Sequence, residues 1–227
     1  KNNINYYYMG NLYDPYSKSY RKIFINSKNN EERIGSIRIQ KYGNPIINTD
    51  IANKHISIKI RGLNDKVLIE SDYINDWTIK LNSENISSNK LQTSRIDNNL
   101  LTSSLTIKDS FIDGLSIYIN GGNFEDSLNI INSNGFINLI EVENSFQDAI
   151  DFDFSNLKID RVLVKNSGND CLDMSSGKYF ISSFRAEKCS DKGISVGEGS
   201  FVKIENASIN NTKFALVSKD SSELILK

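Results

Sequence analysis

The chain is poor in several residue types, and each scarcity narrows the kinds of protein that it can be. Its 227 residues include two cysteines, two prolines and one histidine. Two cysteines are too few for the disulfide framework that stabilises many small secreted domains. The apolar runs are only a few residues long, whereas a membrane-spanning helix needs about 18 or more. We therefore expect no membrane span.

Excess charge of either sign is also missing. The formal net charge is −1 at pH 7 and the sequence pI is about 6.0, so no basic footprint predicts a nucleic-acid partner. No charged-then-apolar leader precedes a small-residue cleavage site, so we expect any secretion signal to be absent or already removed. Asparagine, serine and isoleucine are abundant instead, and this composition favours short strands joined by tight turns.

The second half of the chain is a repeat with a period of 22 residues. An aliphatic column contains Leu128, Ile150, Leu172, Ile194 and Leu216. A column of small residues directly precedes it and contains Ser127, Ala149, Cys171, Gly193 and Ala215. Further along each unit, Ile137, Ile159 and Ile181 align, and Ile204 follows after a slip of one residue. Each unit holds three alternating apolar pairs, which predict three short half-buried strands.

Three strands in 22 residues, with the same columns one unit later, predict a chain that coils once per repeat. Each coil, or rung, would pair with the next about 4.8 Å away, and the rungs would share one core. Asn144, Asn166 and Asn206 are expected at corners, because asparagine tolerates left-handed backbone and its amides can stack. A leucine-rich horseshoe would need a helix or a fixed Asn or Cys in each unit, and a β-sandwich would not keep the period. The pattern therefore predicts an all-β protein, a parallel β-helix.

Two stretches carry a resemblance to a known superfamily, namely "SFQDAIDFDFSNLKIDRVLVKNSGNDCLDMSSGKYF" and "CSDKGISVGEGSFVKIENASI". They resemble the right-handed parallel β-helix proteins of the pectate-lyase-like superfamily. They resemble still more the bacterial surface β-helix proteins of undefined activity. The resemblance covers roughly residues 100–227. It implies a right-handed coil and a surface or secreted location, but this fold carries many functions.

The repeat also suggests how the chain is divided. Residues 1–100 show no clean period, and we expect an irregular β-rich entry or capping region that includes possible first rungs. Residues 101–227 are expected to form the parallel β-helix. Leu115 lies 13 residues before Leu128, which predicts an excursion or a shortened rung near residue 120. Leu224 and Leu226 would expose apolar surface at the last rung, so self-association or a continuation of the chain is expected to cover it.

The two cysteines occupy different positions in the repeat. Cys171 belongs to the small inward column, whereas Cys189 lies four residues before the next copy of that column. Because the two do not stack directly, the sequence predicts no disulfide between them.

Aspartates recur at two outward columns of the repeat. Asp126, Asp148 and Asp170 precede the strand, and they are expected to accept backbone N–H groups and fix the turn. The strand itself directs Asp151, Asp153 and Asp173 to solvent. The predicted binding face contains Asp148, Asp151, Asp153, Asp170 and Asp173. Stacked carboxylates can form a solvated acidic face, bind a ligand, or bind Ca²⁺ at Asp151, Asp153 and Asp173; otherwise we expect no cofactor.

Catalysis would need more than these carboxylates. In a polysaccharide lyase of this superfamily a basic residue would lie near calcium-binding carboxylates, and Lys192 is the best-placed candidate beside Asp151 and Asp173. The motifs of the β-helix pectin hydrolases are absent. We therefore expect a surface or secreted, extracellular β-helix domain with a binding or structural role that engages a polysaccharide or cell-surface glycan. The alternatives are a calcium-assisted polysaccharide lyase or hydrolase and a trimeric spike or tail component.

Overall fold

A computed structural model describes the backbone of residues 6–14 and 19–26, and describes residues 31–83 and 101–227 in full. All regular structure in these ranges is β-strand, and the strands form a solenoid of about seven rungs with about 22 residues in each. No helix in the described part of the chain is long and apolar enough to cross a membrane. The all-β parallel β-helix that the sequence predicts is confirmed.

The N-terminal part contains hairpins and the first parallel rungs. Its strands are β1 (Tyr6–Asp14), β2 (Ser19–Asn26), β3 (Glu31–Ile34), β4 (Ile37–Tyr42), β5 (Ile46–Asp50), β6 (His55–Ile60), β7 (Lys66–Ser71), β8 (Ile74–Asn75) and β9 (Thr78–Ser83). Three antiparallel hairpins join β1 to β2, β3 to β4 and β5 to β6. Strand β7 is the first short strand of the parallel stack. Strand β4 pairs antiparallel with it and so covers its outer edge. This pairing blocks an edge that another chain could otherwise extend. Residues 84–100 lie outside the described part, and the boundary at residue 100 stays a prediction.

The remaining strands alternate between short and long up to residue 177, after which two long strands each also include the short strand of the next rung. They are β10 (Ser103–Lys108), β11 (Phe111–Asn120), β12 (Asp126–Ile131), β13 (Asn134–Ser145), β14 (Asp148–Asp153), β15 (Asn156–Ser167), β16 (Leu172–Ser175), β17 (Lys178–Gly197), β18 (Phe201–Ser218) and β19 (Glu223–Leu226). Short strands β7, β10, β12, β14 and β16 stack in parallel, and the long strands β9, β11, β13, β15, β17 and β18 do the same. The second and third strands expected in each rung are therefore one continuous bent strand.

The inward columns form one continuous core, as the period predicts. Leu128 pairs with Ile150, Ile150 with Leu172, and Leu172 with Ile194, and all four are fully buried. Every rung adds one member to each column. A single rung could not bury its apolar face by itself, so all the rungs share one core.

Asparagines form a ladder at the corner that ends β11, β13 and β15. Asn144 and Asn166 have φ values of 59° and 58°. The Asn166 amide donates to the Asn144 carbonyl oxygen at 3.0 Å, and the Asn144 amide donates to Asn120 at 2.8 Å. The prediction for Asn206 is wrong, because Asn206 lies within β18 beside Ser183, and Asn211, with φ of 56°, occupies the left-handed corner of that rung.

Two further expectations are wrong. Leu115 pairs with Ile137, and it is Leu105 that pairs with Leu128. Leu115 therefore belongs to a different inward column, and no excursion is needed at residue 120. The two corners resemble each other in sequence, because each is followed by a buried aliphatic residue.

The second wrong expectation concerns the cysteines, since Cys171 and Cys189 form a disulfide with their Cα atoms 5.4 Å apart. Cys189 lies beside Ser167 on the neighbouring rung. The turn that follows Ser167 brings Cys171 back within reach of this position. The bond therefore joins adjacent rungs diagonally, and it could not be found by comparing residues of one column.

The last rung is more open than the others. Phe214, Leu216 and Leu226 are 49%, 37% and 46% exposed. The neighbour of Leu216 in its column, Ile194, is fully buried. The expectation that another chain or a continuation covers these apolar residues stays a prediction.

Candidate functional site

Carboxylates converge on the outward face of the short strands. We call Asp126, Asp148, Asp151, Asp153, Asp170 and Asp173 the acidic cluster. Register places Asp126 beside Asp148 and places Asp151 beside Asp173. Adjacent strands are about 4.8 Å apart, so the like charges of successive rungs are close neighbours. The residues of the predicted binding face are thus brought together, while their function in binding stays a prediction.

The acidic cluster is less exposed than the alternation of the strand predicts. Asp126 is 2% exposed and Asp170 is 3% exposed, while Asp151, Asp153 and Asp173 are half-buried. Burial raises the pKa of Asp126 and Asp151, and neighbouring carboxylates raise both further. Loss of water and nearby like charges both make the charged form of a carboxylate less favourable.

Asp148 and Asp170 fix the turns, as predicted for their column. An Asp148 oxygen accepts the Asp170 backbone N–H at 2.7 Å and the Asn169 amide at 2.8 Å. An Asp170 oxygen accepts the Lys192 backbone N–H at 2.9 Å. Burial nevertheless raises the pKa of Asp148 to about 6, because the hydrogen bonds only partly compensate for the loss of water. Each of these carboxylates therefore links one rung to the next.

Lys192 forms ion pairs at the Asp170 end of the acidic cluster. Its Nζ lies 3.1 Å from the Asp170 carboxylate and 2.6 Å from that of Asp191. Burial lowers the pKa of Lys192, but the hydrogen bonds that Lys192 donates to these two aspartates outweigh it and keep the pKa above its ordinary value. A lysine that keeps its proton is a poor general base near neutral pH.

A metal site needs ligands that converge on one point. Within residues 31–83 and 101–227, no three acidic, histidine or cysteine side chains are arranged to hold a metal ion. Asn129 lies among the carboxylates instead, and its amide donates to Asp153 at 3.1 Å and contacts Asp151 at 3.4 Å. The Ca²⁺ site at Asp151, Asp153 and Asp173 stays a prediction without a convergent set of ligands.

A second surface, which sequence reasoning missed, is a groove of about 490 Å³ on the outward face of the long strands. We call it the aromatic groove. Its walls include Phe111, Phe136, Phe180, Lys158 and Lys178. The three phenylalanines are 51%, 38% and 38% exposed. Exposed aromatic rings around one depression are a feature that many ligand-binding surfaces share.

The register of the long strands builds the groove. One outward column runs from Phe136 through Lys158 and Phe180 to Lys203 on successive rungs. A neighbouring outward column lies two residues earlier on each strand, and it contains Phe111, Asn134, Asn156, Lys178, Phe201 and Glu223. Aromatic and cationic side chains alternate along the first column, whereas three polar residues separate Phe111 from Phe201 in the second.

Gly135 lines the groove at a close approach between two rungs. Its φ is 127°, and a Cβ at this position would lie 1.9 Å from the carbonyl oxygen of Ile112. Only glycine fits this approach.

Aromatic rings continue beyond both ends of the groove. Tyr73 stacks on Phe111 with ring centroids 5.9 Å apart, and its hydroxyl donates to Asp113 at 2.9 Å. At the other end Phe180 and Phe201 are also 5.9 Å apart. The sequence signal was present, because the alternation that buries Ile112 and Ile181 turns their phenylalanine neighbours outward. Each ring on its own resembles an ordinary exposed residue, because the rings come together only through the strand register.

Comparisons with protein-family models, curated proteins and solved structures find no match for this chain. The solenoid is thus established by the strand register, while membership of the pectate-lyase-like superfamily stays a resemblance. Since one fold carries many activities, the function has to be argued from the two surfaces.

Proposed function

We propose that this protein is a binding module that holds a polysaccharide in the aromatic groove, and that it does so without catalysing a reaction. The observation that carries this proposal is the set of three exposed phenylalanines around one groove of about 490 Å³. Flat aromatic rings match the C–H faces of sugar rings, and exposed apolar patches with polar rims are typical of ligand-binding surfaces.

The acidic cluster supports a structural role better than a catalytic one. The carboxylates of Asp148 and Asp170 accept hydrogen bonds from backbone N–H groups of the neighbouring rungs. Lys192, the candidate base beside Asp151 and Asp173, is held by two other carboxylates and keeps its proton. A calcium-assisted lyase or hydrolase would need this lysine or an equivalent group to be free.

The disulfide supports a surface or secreted location for the module. Cys171 and Cys189 are both buried and bonded. Structural disulfides persist in oxidising compartments and are rare in reducing ones. A location outside the cytosol is also where a protein would meet a cell-surface glycan.

Calorimetric titration against a panel of neutral and acidic polysaccharides tests the proposal. The double variant Phe136→Ala/Phe180→Ala should bind at least about tenfold more weakly, because each ring contributes roughly 1 kcal/mol of contact. Phe214→Ala is the control, since Phe214 is also an exposed phenylalanine but lies outside the groove.

The same mixtures should be assayed for new reducing ends and unsaturated uronates. Turnover that disappears in Asp173→Ala would contradict a purely binding role. Equal binding by the double variant and the control would show that the aromatic groove does not hold the polysaccharide.

A further inference from the structure

One outward column of the short strands combines carboxylates with buried polar atoms that have no partner. The column runs from Asn129 through Asp151 and Asp173 to Ser195 on successive rungs, and we call it the carboxylate lane. We propose that the carboxylate lane binds a linear polyamine, with ammonium groups held between neighbouring rungs. This site lies on a different surface from the aromatic groove, so the inference goes beyond the proposed function and does not depend on it.

The carboxylate lane and its surroundings contain hydrogen-bond acceptors that lack donors. Asn129 is 3% exposed, and its Oδ1 has no hydrogen-bond partner in the described part of the chain, although its amide group donates to Asp153. Oδ2 of the buried Asp126 and Oγ of the buried Ser195 are also without a partner there. A buried acceptor without a donor costs free energy. These atoms therefore favour a ligand that brings N–H groups.

Negative charge around the lane exceeds what nearby cations of the protein offset. Within residues 31–83 and 101–227, the one ion pair to a member of the acidic cluster comes from Lys192, whose Nζ lies 3.1 Å from the Asp170 carboxylate. Burial raises the pKa of Asp151, and the charges of Asp126 and Asp153 raise it further. A bound cation would relieve this repulsion, because an opposite charge stabilises the ionised carboxylates.

A linear chain of ammonium groups fits the carboxylate lane better than a metal ion. No three acidic, histidine or cysteine side chains of the described residues are arranged to hold a metal ion. The lane instead spreads its acceptors along the solenoid axis at steps of about 4.8 Å. A propylene linker holds two ammonium nitrogens at a similar separation. Successive nitrogens of a polyamine can thus lie between Asn129 and Asp151 and between Asp151 and Asp173.

Lys192 shows how an ammonium group is held on this side of the solenoid. Its Nζ lies 3.1 Å from the Asp170 carboxylate and 2.6 Å from that of Asp191, which belongs to the next rung. An ammonium group that donates to carboxylates of two rungs is therefore an arrangement that the fold already contains. Asp151 and Asp173 present a similar pair of acceptors, and no described lysine or arginine forms an ion pair with either of them.

Calorimetric titration of the full chain with spermidine tests the proposal. Asp151→Asn and Asp173→Asn should each weaken spermidine binding about tenfold or more, because hydrogen bonds between charged groups are the strong ones. Asp160→Asn is the control, because Asp160 is exposed and lies outside the acidic cluster. The double variant Phe136→Ala/Phe180→Ala should bind spermidine as the wild type does, because it alters only the aromatic groove. Circular dichroism checks that each variant is folded.

Linker length separates a specific site from a diffuse attraction of cations. Diaminopropane should bind more tightly than diaminooctane, because only the shorter linker matches the distance between rungs. A diffuse negative surface would bind both diamines equally.

The affinity for spermidine should fall from about pH 7.5 to about pH 5, because carboxylates with a raised pKa take up protons and can then no longer pair with an ammonium group. Lys192 keeps its charge throughout, since its pKa is raised. The charged groups around the lane that contribute to this dependence are Asp126, Asp148, Asp153, Asp170, Glu125, Glu198 and Lys192.

Four results would overturn this inference. They are no binding of spermidine, equal affinity for the two diamines, an equal loss of affinity in Asp160→Asn, and tighter binding of Ca²⁺ than of spermidine. The last of these would assign the carboxylates to a metal ion. None of them would bear on the aromatic groove, and a failure of polysaccharide binding would leave the carboxylate lane unaffected.

Discussion

The buried carboxylate of Asp148 gives a stability prediction that can be worked out in advance. The pKa of Asp148 rises from its ordinary 3.8 to about 6, with burial as the largest cause. A shift of about two units corresponds to roughly 3 kcal/mol of folding free energy. Because the folded pKa is raised, the folded state holds the proton more tightly than the unfolded state. The stability from this group is therefore fully present below about pH 3.8 and is lost as the pH rises through about 6.

Asp148→Asn should remove this loss. The amide keeps an oxygen that can accept the N–H groups of Asn169 and Asp170, and it carries no charge. We expect the variant to be more stable than the wild type by up to roughly 3 kcal/mol at about pH 7.5, and to differ little at about pH 3.5. The gain in stability falls below this limit to the extent that the charged Asp148 oxygen makes stronger hydrogen bonds than the amide oxygen of asparagine.

Urea unfolding followed by circular dichroism at the two pH values measures the difference. Asp160→Asn is the control, because the Asp160 side chain is 52% exposed and its removal should change stability little at either pH. A variant that is less stable than the wild type at neutral pH would refute the reasoning. So would a difference that is the same at both pH values, because the effect would then not come from ionisation.

Three other changes test the packing of the solenoid. Gly135→Ala should cost several kcal/mol in thermal unfolding, because its Cβ would lie 1.9 Å from the Ile112 oxygen; a loss within about 0.5 kcal/mol would show that the rungs can separate. The double variant Cys171→Ser/Cys189→Ser should lower the unfolding free energy by about 3 kcal/mol, because the bond closes a loop with a sequence separation of 18; a reducing agent should lower the urea midpoint of the wild type and leave that of the variant unchanged. Tyr179→Phe should cost about 1–3 kcal/mol, because the one proton of the buried hydroxyl is shared between two backbone carbonyl oxygens at 3.0 and 3.2 Å; an equally stable variant, measured by urea unfolding, would contradict this assignment.

The repeat region shows which features could be predicted. Leu128, Ile150 and Leu172 recur at a fixed interval, and a fixed interval of alternating apolar residues has few solutions that bury every copy. The corner ladder followed for the same reason at Asn144 and Asn166. The irregular N-terminal rungs could not be read in this way, since β7 and β9 join the stack without sharing the period of the later rungs.

The candidate surfaces were predicted less well. Alternation correctly grouped Asp151 and Asp173, but it could not show that they are half-buried, because alternation along one strand does not reveal what packs over the outward face. The aromatic groove escaped notice because Phe136 and Phe180 are separated by two rungs in sequence. They become neighbours of Lys158 only through the strand register.

The amino-acid sequence by itself determined the coil, its period and the residues that face the core, because these depend on which side chains must leave water at regular intervals. Only the tertiary structure decided the Cys171–Cys189 bond, the raised pKa values of the buried aspartates and the groove above Gly135. Each of these depends on the distance between residues of different rungs. A repeat predicts which rungs are neighbours, but diagonal distances and the cover over an outward face depend on how every corner turns.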